Sequence, residues 1–240
     1  MQSTTRLTKW FGVLSHEPSY IPPRNPTEPF DDLEVTETVF LVEADQRARR
    51  SMSWILGEAG LDVVPYLSGE DFLSGLTSDV PGCLLVNLHL PGMSGVSVIE
   101  ELGRRGMTMP TILISGRRDT QVAIEAFRSG AFDVIGDDFD FALLERVERA
   151  LGADTRRRQR DLARTELRAR LNALTPRERQ VVELVAHGQA NKVIAYDLRI
   201  SERTVEVHRA KAMRKIGAGS AADLVRIVLL AGTPGDVMRH

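Results

Sequence analysis

Short apolar runs alternate with stretches of helical period between residues 38 and 152. The runs cover residues 39–42, 63–64, 83–86, 111–114 and 132–135. Apart from Thr111 and Asp133 they are apolar at every position, which is typical of parallel strands that are buried on both faces. The pattern therefore predicts an α/β domain with five parallel strands and helices on both faces of the sheet.

The last third of the chain has the pattern of several short helices. Thr175 and Glu178 stand at the N-cap and N3 positions of a capping box, so they predict a helix start. Gly188 is expected to end that helix in the left-handed conformation. Asn191 and Ser201 are predicted to cap the next two helices.

A helical projection divides the helix that follows Ser201 into a packing side and an outward side. The packing side carries Val205, His208, Ala212 and Ile216. The outward side carries Arg203, Glu206, Val207, Ala210, Lys211 and Arg214. A charged outward side is usually a solvated helix surface, so the projection alone does not establish a binding role.

Residues 167–231 closely resemble the LuxR-type DNA-binding domain of FixJ/NarL-type response regulators, an all-α module of four helices. The specific motifs are residues 191–198, NKVIAYDL, and residues 203–210, RTVEVHRA. The resemblance implies that the third helix enters the major groove of double-stranded DNA. It also implies that the fourth helix, which begins near Ser220, dimerises on DNA.

The resemblance further assigns roles to single residues. Glu206, Val207 and Ala210 occupy base-facing positions, where the carboxylate accepts from cytosine and the apolar groups contact thymine methyls. A second group is expected to bind phosphates, which fixes the register on DNA without reading its sequence. These residues are Lys192, Arg203, Thr204, Lys211, Arg214 and Lys215. His208 is left open between a packed histidine and a phosphate contact.

The N-terminal domain resembles the receiver domain of response regulators, a flavodoxin-like fold with its cleft at the carboxyl ends of the strands. The motifs are residues 41–45, LVEAD, residues 90–95, LPGMSG, residues 112–116, ILISG, and residues 130–133, GAFD. Their order and spacing match those of a receiver.

Most residues that carry receiver chemistry are nevertheless replaced. By resemblance, the phosphate-accepting aspartate falls at Asn87, the acidic pair at Glu43 and Ala44, and the lysine at Asp137. Only the hydroxyl position is kept, as Ser115. An amide is not a usable nucleophile toward phosphorus, and Mg²⁺ requires anionic oxygen ligands. We therefore expect a pseudo-receiver that is not phosphorylated and holds no metal or cofactor.

Charge is distributed unevenly along the 240 residues. Residues 38–154 carry 18 acidic and 10 basic side chains, a net charge of −8, whereas residues 155–240 carry 9 and 18, a net charge of +9. A basic C-terminal half suits a phosphate polyanion. Cys83 is the only cysteine, and no apolar run is long enough for a membrane helix. Since a signal-peptide core is also lacking, we expect a cytoplasmic protein.

The chain is predicted to comprise an extended tail over residues 1–37, a receiver-like domain over 38–152, a helical linker over 153–166, the DNA-binding domain over 167–233 and a short tail over 234–240. The linker is expected to be interrupted near Gly152. Three alternatives stay open. The apolar residues 9–14 could dock on a partner, the arginines of residues 156–160 could bind phosphates or face solvent, and Glu43 with Asp137 and Asp138 could gather a cation.

Together these patterns predict a non-enzymatic transcription regulator that binds a two-fold-related DNA site as a homodimer. Its receiver-like domain is expected to respond to a protein partner or a small ligand, and no membrane contact is expected. One alternative is a receiver that is phosphorylated at an unorthodox residue. Another is an interaction protein that sequesters a second regulator and binds DNA weakly.

Overall fold

A parallel sheet of five strands forms the centre of the N-terminal half. The strands are β1 Thr38–Val42, β2 Asp62–Tyr66, β3 Cys83–Asn87, β4 Thr111–Ile114 and β5 Asp133–Ile135. They lie in the order β2-β1-β3-β4-β5, and every neighbouring pair is parallel. This structure is a computed structural model that describes residues 38–76, 78–116, 120–136 and 140–231. The predicted sheet is confirmed.

Helices cover both faces of this sheet. They are α1 Gln46–Glu58, α2 Gly69–Gly75, α3 Gly95–Arg104, α4 Thr120–Arg128 and α5 Asp140–Asn172. Because side chains alternate along a strand, Phe40 and Val42 of β1 pack with α2 and α3, while Val39 and Leu41 pack with α1 and α5. The sheet therefore has an apolar core on each side. The polar side chains of the cleft lie at the carboxyl ends of its strands.

The described residues divide between Arg156 and Arg157 into two compact units, so the boundary falls within the predicted linker. Helix α5 is continuous through residues 140–172, so the expected interruption at Gly152 is wrong. Glycine costs about 1 kcal/mol in a helix interior. Here Val147, Ala150 and Leu151 are buried in the core around that position, and their packing outweighs the cost.

Four helices with a core of their own form the second unit together with the end of α5. They are α6 Pro176–Ala186, α7 Asn191–Leu198, α8 Glu202–Ile216 and α9 Ala221–Ala231. Val182 of α6, Ile194 of α7 and Val205 of α8 meet in this core. The predicted four-helix domain is confirmed, and α7 with α8 forms a helix-turn-helix.

Within the described ranges, none of the helices combines the length and the apolar character that crossing a membrane requires.

Candidate nucleic-acid interface and receiver cleft

Helix α6 begins at the predicted capping box. The Thr175 hydroxyl accepts from the Glu178 amide at 3.3 Å, and the Glu178 carboxylate accepts from the Thr175 amide at 2.9 Å. The same carboxylate accepts from the Lys215 ammonium of α8 at 2.7 Å. These contacts, the Lys215 hydrogen bond first, lower the pKa of the buried Glu178 to about 2. The box therefore also joins the start of α6 to the end of α8.

Helix α7 begins differently from the prediction. Its N-cap is Ala190, whose side chain makes no capping bond, and Asn191 is the first helical residue. The side-chain Oδ1 of Asn191 instead accepts from the Arg209 guanidinium of α8 at 3.1 Å. The expected Asn191 cap is wrong because this side chain is engaged by the neighbouring helix.

Helix α8 has the two sides that the projection predicts. Its start is capped by Ser201, whose hydroxyl accepts from the Thr204 amide at 3.1 Å. Val205, Ala212 and Ile216 are fully buried, and His208 is half-buried. The outward side chains, all exposed, are Arg203, Glu206, Val207, Ala210, Lys211 and Arg214. The unit thus offers an exposed helix face with apolar and charged groups side by side.

The remaining residues predicted to bind phosphates lie in different settings. Lys192 is exposed at the first turn of α7, and Thr204 is half-buried at the first turn of α8. Lys215 is 40% exposed and donates to the Glu178 carboxylate and to the Ala173 carbonyl. Its ammonium therefore already binds two acceptors within the protein, which makes it less available for a DNA phosphate.

The receiver cleft contains a hydrogen-bonded pair at the carboxyl ends of β1 and β3. Asn87 Nδ2 donates to Glu43 Oε2 at 2.6 Å, while Asn87 Oδ1 accepts from the His89 amide at 2.9 Å. The other Glu43 oxygen accepts from the Asp45 amide at 2.8 Å. Glu43 is only 2% exposed, so both of its carboxylate oxygens are engaged inside the protein.

A buried guanidinium holds the backbone at the end of β1. Arg49 of α1 is 7% exposed and donates to the backbone carbonyls of Glu43 at 2.6 Å and Ala44 at 3.0 Å. Ser115, which occupies the hydroxyl position, directly follows β4 and is buried. Asp137 and Asp138 lie outside the described residues. Within the described ranges no group of three potential metal ligands occurs, and the cation suggested for Glu43, Asp137 and Asp138 is not tested by that observation.

The Mg²⁺ site that receivers carry does not fit the donor set of this cleft. Ala44 offers no side-chain oxygen, Asn87 offers a neutral amide, and each oxygen of the Glu43 carboxylate already accepts a hydrogen bond. Mg²⁺ requires near-octahedral oxygen ligands with anionic anchors, and these positions do not supply them.

Comparisons with known proteins agree with both folds. Residues 39–148 match the response regulator receiver domain, and residues 172–228 match the luxR family of bacterial regulatory proteins. The transcriptional regulatory protein FixJ of Azorhizobium caulinodans is 40% identical over 200 residues, which cover 82% of this chain and 95% of that relative. The chain belongs to the FixJ-type response regulators. It is therefore a transcription regulator of the two-component class with a LuxR-type DNA-binding domain.

Solved structures support the same assignment for this FixJ-type regulator. The response regulator StyR matches with a TM-score of 0.73 at 33% identity, covering 81% of this chain and 98% of that one. Full-length FixJ from B. japonicum matches with a TM-score of 0.52 at 31% identity, covering 82% and 97%.

Helix α4 of this FixJ-type regulator exposes apolar side chains. Ile124 and Phe127 are 49% and 51% exposed, Val122 is half-buried, and Ala126 is buried. Only part of this helix is therefore buried against its own domain. The exposed pair has the spacing of neighbours on one helix face.

Sequence reasoning missed three structural contacts. Arg209 donates to Asn191, Arg177 of α6 donates to the Leu198 carbonyl at the end of α7 at 2.6 Å, and Asp154 accepts from the Gly82 amide at 3.1 Å. Two of the three end on a backbone group, which no side-chain pattern reports. For the Arg209–Asn191 contact, the one signal in the sequence was the position of Arg209 next to the packing side of α8.

Proposed function

We propose that this FixJ-type regulator binds a specific DNA site and acts without phosphorylation of an aspartate in its receiver domain. The observation that carries the proposal is the hydrogen bond between Asn87 and Glu43 in the cleft. This bond joins Asn87, at the nucleophile position, to Glu43, which is the one carboxylate at the positions of the acidic pair.

The chemistry of the cleft supports this proposal. Phosphoryl transfer to a receiver needs an anionic carboxylate to attack phosphorus, and the neutral amide of Asn87 does not provide one. The developing charge also needs a cation. Ala44 removes one metal ligand, and the lysine position is taken by Asp137. The domain is thus proposed to keep the fold of a receiver without its reaction, and to have no enzymatic activity.

We propose that α8 reads bases in the major groove. The exposed carboxylate of Glu206 and the exposed apolar groups of Val207 and Ala210 are suited to a cytosine amino group and to thymine methyls. Phosphate contacts are assigned to Lys192, Arg203, Thr204, Lys211 and Arg214. Lys215 remains a weaker candidate because its ammonium already binds Glu178.

We further propose that two copies bind a two-fold-related site. The exposed Ile124 and Phe127 of α4 supply a surface for pairing of the receiver domains. Pairing holds two DNA-binding domains together, so the second half-site is bound at a high effective concentration.

A protein partner or a small ligand at the receiver-like domain is proposed as the input in place of phosphate. Because its target is DNA, the protein is assigned to the cytoplasm. The domain limits 38–152, 153–166 and 167–233 belong to the same proposal.

Treatment with acetyl phosphate and Mg²⁺ tests independence from phosphorylation. The full chain should show no mass increase of one phosphoryl group, and its affinity for a selected duplex should not change. A variant that combines Ala44→Asp, Asn87→Asp and Asp137→Lys serves as the matched control, because it restores the expected receiver residues. A phosphoprotein formed by the wild-type chain would refute the proposal and support an unorthodox acceptor.

A salt-resolved binding titration separates DNA recognition from sequestration of another regulator. A specific regulator binds one selected duplex about 10³-fold or more tightly than random DNA. Equal, weak binding to both duplexes would favour the interaction protein instead.

A further inference from the structure

The two helices of the helix-turn-helix are joined by a side-chain hydrogen bond at the first turn of α7. Arg209 Nη1 of α8 donates to Asn191 Oδ1 at 3.1 Å, and both residues are half-buried. Asn191 is thereby held by the helix that carries the proposed base contacts. The neighbouring residue, Lys192, is exposed and is a proposed phosphate contact.

The place of Arg209 around α8 directs it toward the protein. It follows the buried Val205 by four residues, which is about 40° around the helix axis. The next residue, the exposed Ala210, is turned roughly 100° further toward the outward side. Arg209 thus lies at the edge of the packing side, between the core and the groove-facing residues.

The other end of α7 is held by a second arginine. Arg177 of α6 donates to the Leu198 carbonyl at 2.6 Å and to the Gln180 side chain at 2.9 Å. This bond reaches a backbone group of α7 from α6, so it supports the helix without touching α8. Among the described residues, the Arg209 bond is the side-chain hydrogen bond that links α7 directly to α8.

We propose that Arg209 is a positioning residue for DNA recognition. Its bond to Asn191 sets the start of α7 relative to α8, and so places Lys192 on a phosphate in the register at which Glu206 and Val207 meet their bases. The proposal rests on base reading by α8. A hydrogen bond between a charged guanidinium and a neutral amide is stronger than one between two neutral groups, so it can hold α7 in place against α8.

The test measures binding of the full chain to two probes over a range of salt concentrations. One probe is a duplex that the wild-type chain selects from a random library, and the other is a scrambled duplex of the same composition. Arg209→Met should lower affinity for the selected duplex roughly tenfold, equivalent to about 1.4 kcal/mol. Affinity for the scrambled duplex should change less than about twofold. The salt slope on that duplex should be unchanged, because Arg209 itself contacts no phosphate and Lys192 keeps its charge.

A double-mutant cycle identifies the partner. Asn191→Ala should cause a similar loss, and Arg209→Met combined with Asn191→Ala should be no worse than either single change, because both remove one bond. Arg209→Lys keeps a donor and should recover part of the affinity. Lys211→Ala is the control for a phosphate contact, with a salt slope lower by about 0.9. Arg104→Met, on the exposed surface of α3, removes one positive charge from the receiver domain and should change neither probe.

A direct phosphate contact would overturn the proposal. Arg209→Met would then weaken both probes, reduce the salt slope as Lys211→Ala does, and add its effect to that of Asn191→Ala. If Arg209→Met lowers the melting temperature enough to unfold the domain, the comparison of Arg209→Lys with Asn191→Ala decides in its place. Additive losses in that pair also overturn the proposal. If Glu206→Ala and Val207→Ala fail to reduce discrimination between the probes, base reading by α8 fails, whatever Arg209 does.

Discussion

The ion pair between the buried Glu178 and the partly exposed Lys215 should make the stability of the DNA-binding unit depend on pH. Glu178→Gln is the informative change, because glutamine keeps an oxygen that accepts from the Thr175 amide while the charge is removed. Glu178 is 3% exposed, so this carboxylate is shielded from water. The capping geometry is retained in the variant, and the measured difference reports the charge interaction.

The magnitude follows from the pKa. A fall of the Glu178 pKa from 4.5 to about 2 corresponds to roughly 3 kcal/mol, at 1.36 kcal/mol per unit. The Lys215 side chain is 40% exposed, so water screens the pair and a loss of about 1–2 kcal/mol is expected at pH 7. Because the pKa of the folded state is the lower one, this stabilisation is complete above pH 5 and disappears as pH falls toward 2.

Urea unfolding of the full chain, followed by far-UV circular dichroism at several pH values, measures the difference between wild type and Glu178→Gln. The receiver domain responds to acid equally in both proteins, so the difference isolates the pair. Lys215→Met should cost more than Glu178→Gln at pH 7, since it leaves the buried Glu178 carboxylate without a cation, held by the Thr175 amide. Glu125→Gln on the exposed face of α4 should have little effect. A Glu178→Gln difference that stays constant between pH 7 and pH 3 would contradict this explanation.

Two further predictions concern DNA binding and pairing. Glu206→Ala and Val207→Ala should each cost about 1–3 kcal/mol on the selected duplex and little on random DNA, whereas Lys211→Ala should weaken both. Titrations on the two duplexes check this, and equal losses on both would remove the base-reading assignment. Ile124→Glu and Phe127→Glu should shift sedimentation of the full chain toward the monomer and lower affinity for a two-half-site duplex. Unchanged sedimentation and affinity would show that α4 does not serve pairing.

The sheet was predictable from the sequence because its signal is continuous. Residues 83–86, for example, are apolar at every position. Such a run is typical of a parallel strand that helices cover on both faces. The capping signals at Thr175 and Ser201 were equally reliable, since each side chain acts within its own turn.

The errors arose where a tertiary contact overrides a local preference. Asn191 is a favourable cap by propensity, but its oxygen accepts from Arg209, which lies 18 residues away in sequence. Gly152 is a poor helix residue, but buried neighbours hold α5 through it. The exposed face of α8 follows from the projection because its residues share one side of the helix. The engagement of Lys215 by Glu178 instead depends on how α6 and α8 pack together.

In the cleft, the residue tolerated at position 87 depends on its bond to Glu43. Asn87→Asp alone would place a second carboxylate within hydrogen-bond distance of Glu43, whose other oxygen is already engaged by the Asp45 amide. Repulsion between the two carboxylates raises the pKa of the new carboxyl above its usual value of about 3.9. It therefore takes up a proton, and can donate it to Glu43, at a higher pH than an isolated aspartate does.

The single reversion should therefore destabilise the receiver domain by about 1–3 kcal/mol at pH 7 without divalent cations. The loss should shrink as pH falls toward 4, because the raised pKa means that the protonated carboxyl regains a hydrogen bond to Glu43. Thermal unfolding of the full chain at both pH values measures this, with the exposed Gln159→Glu as the matched amide-to-carboxylate control. If Asn87→Asp were as stable as wild type at pH 7, the cleft would tolerate two carboxylates, and the Asn87–Glu43 bond would no longer explain why the amide is present.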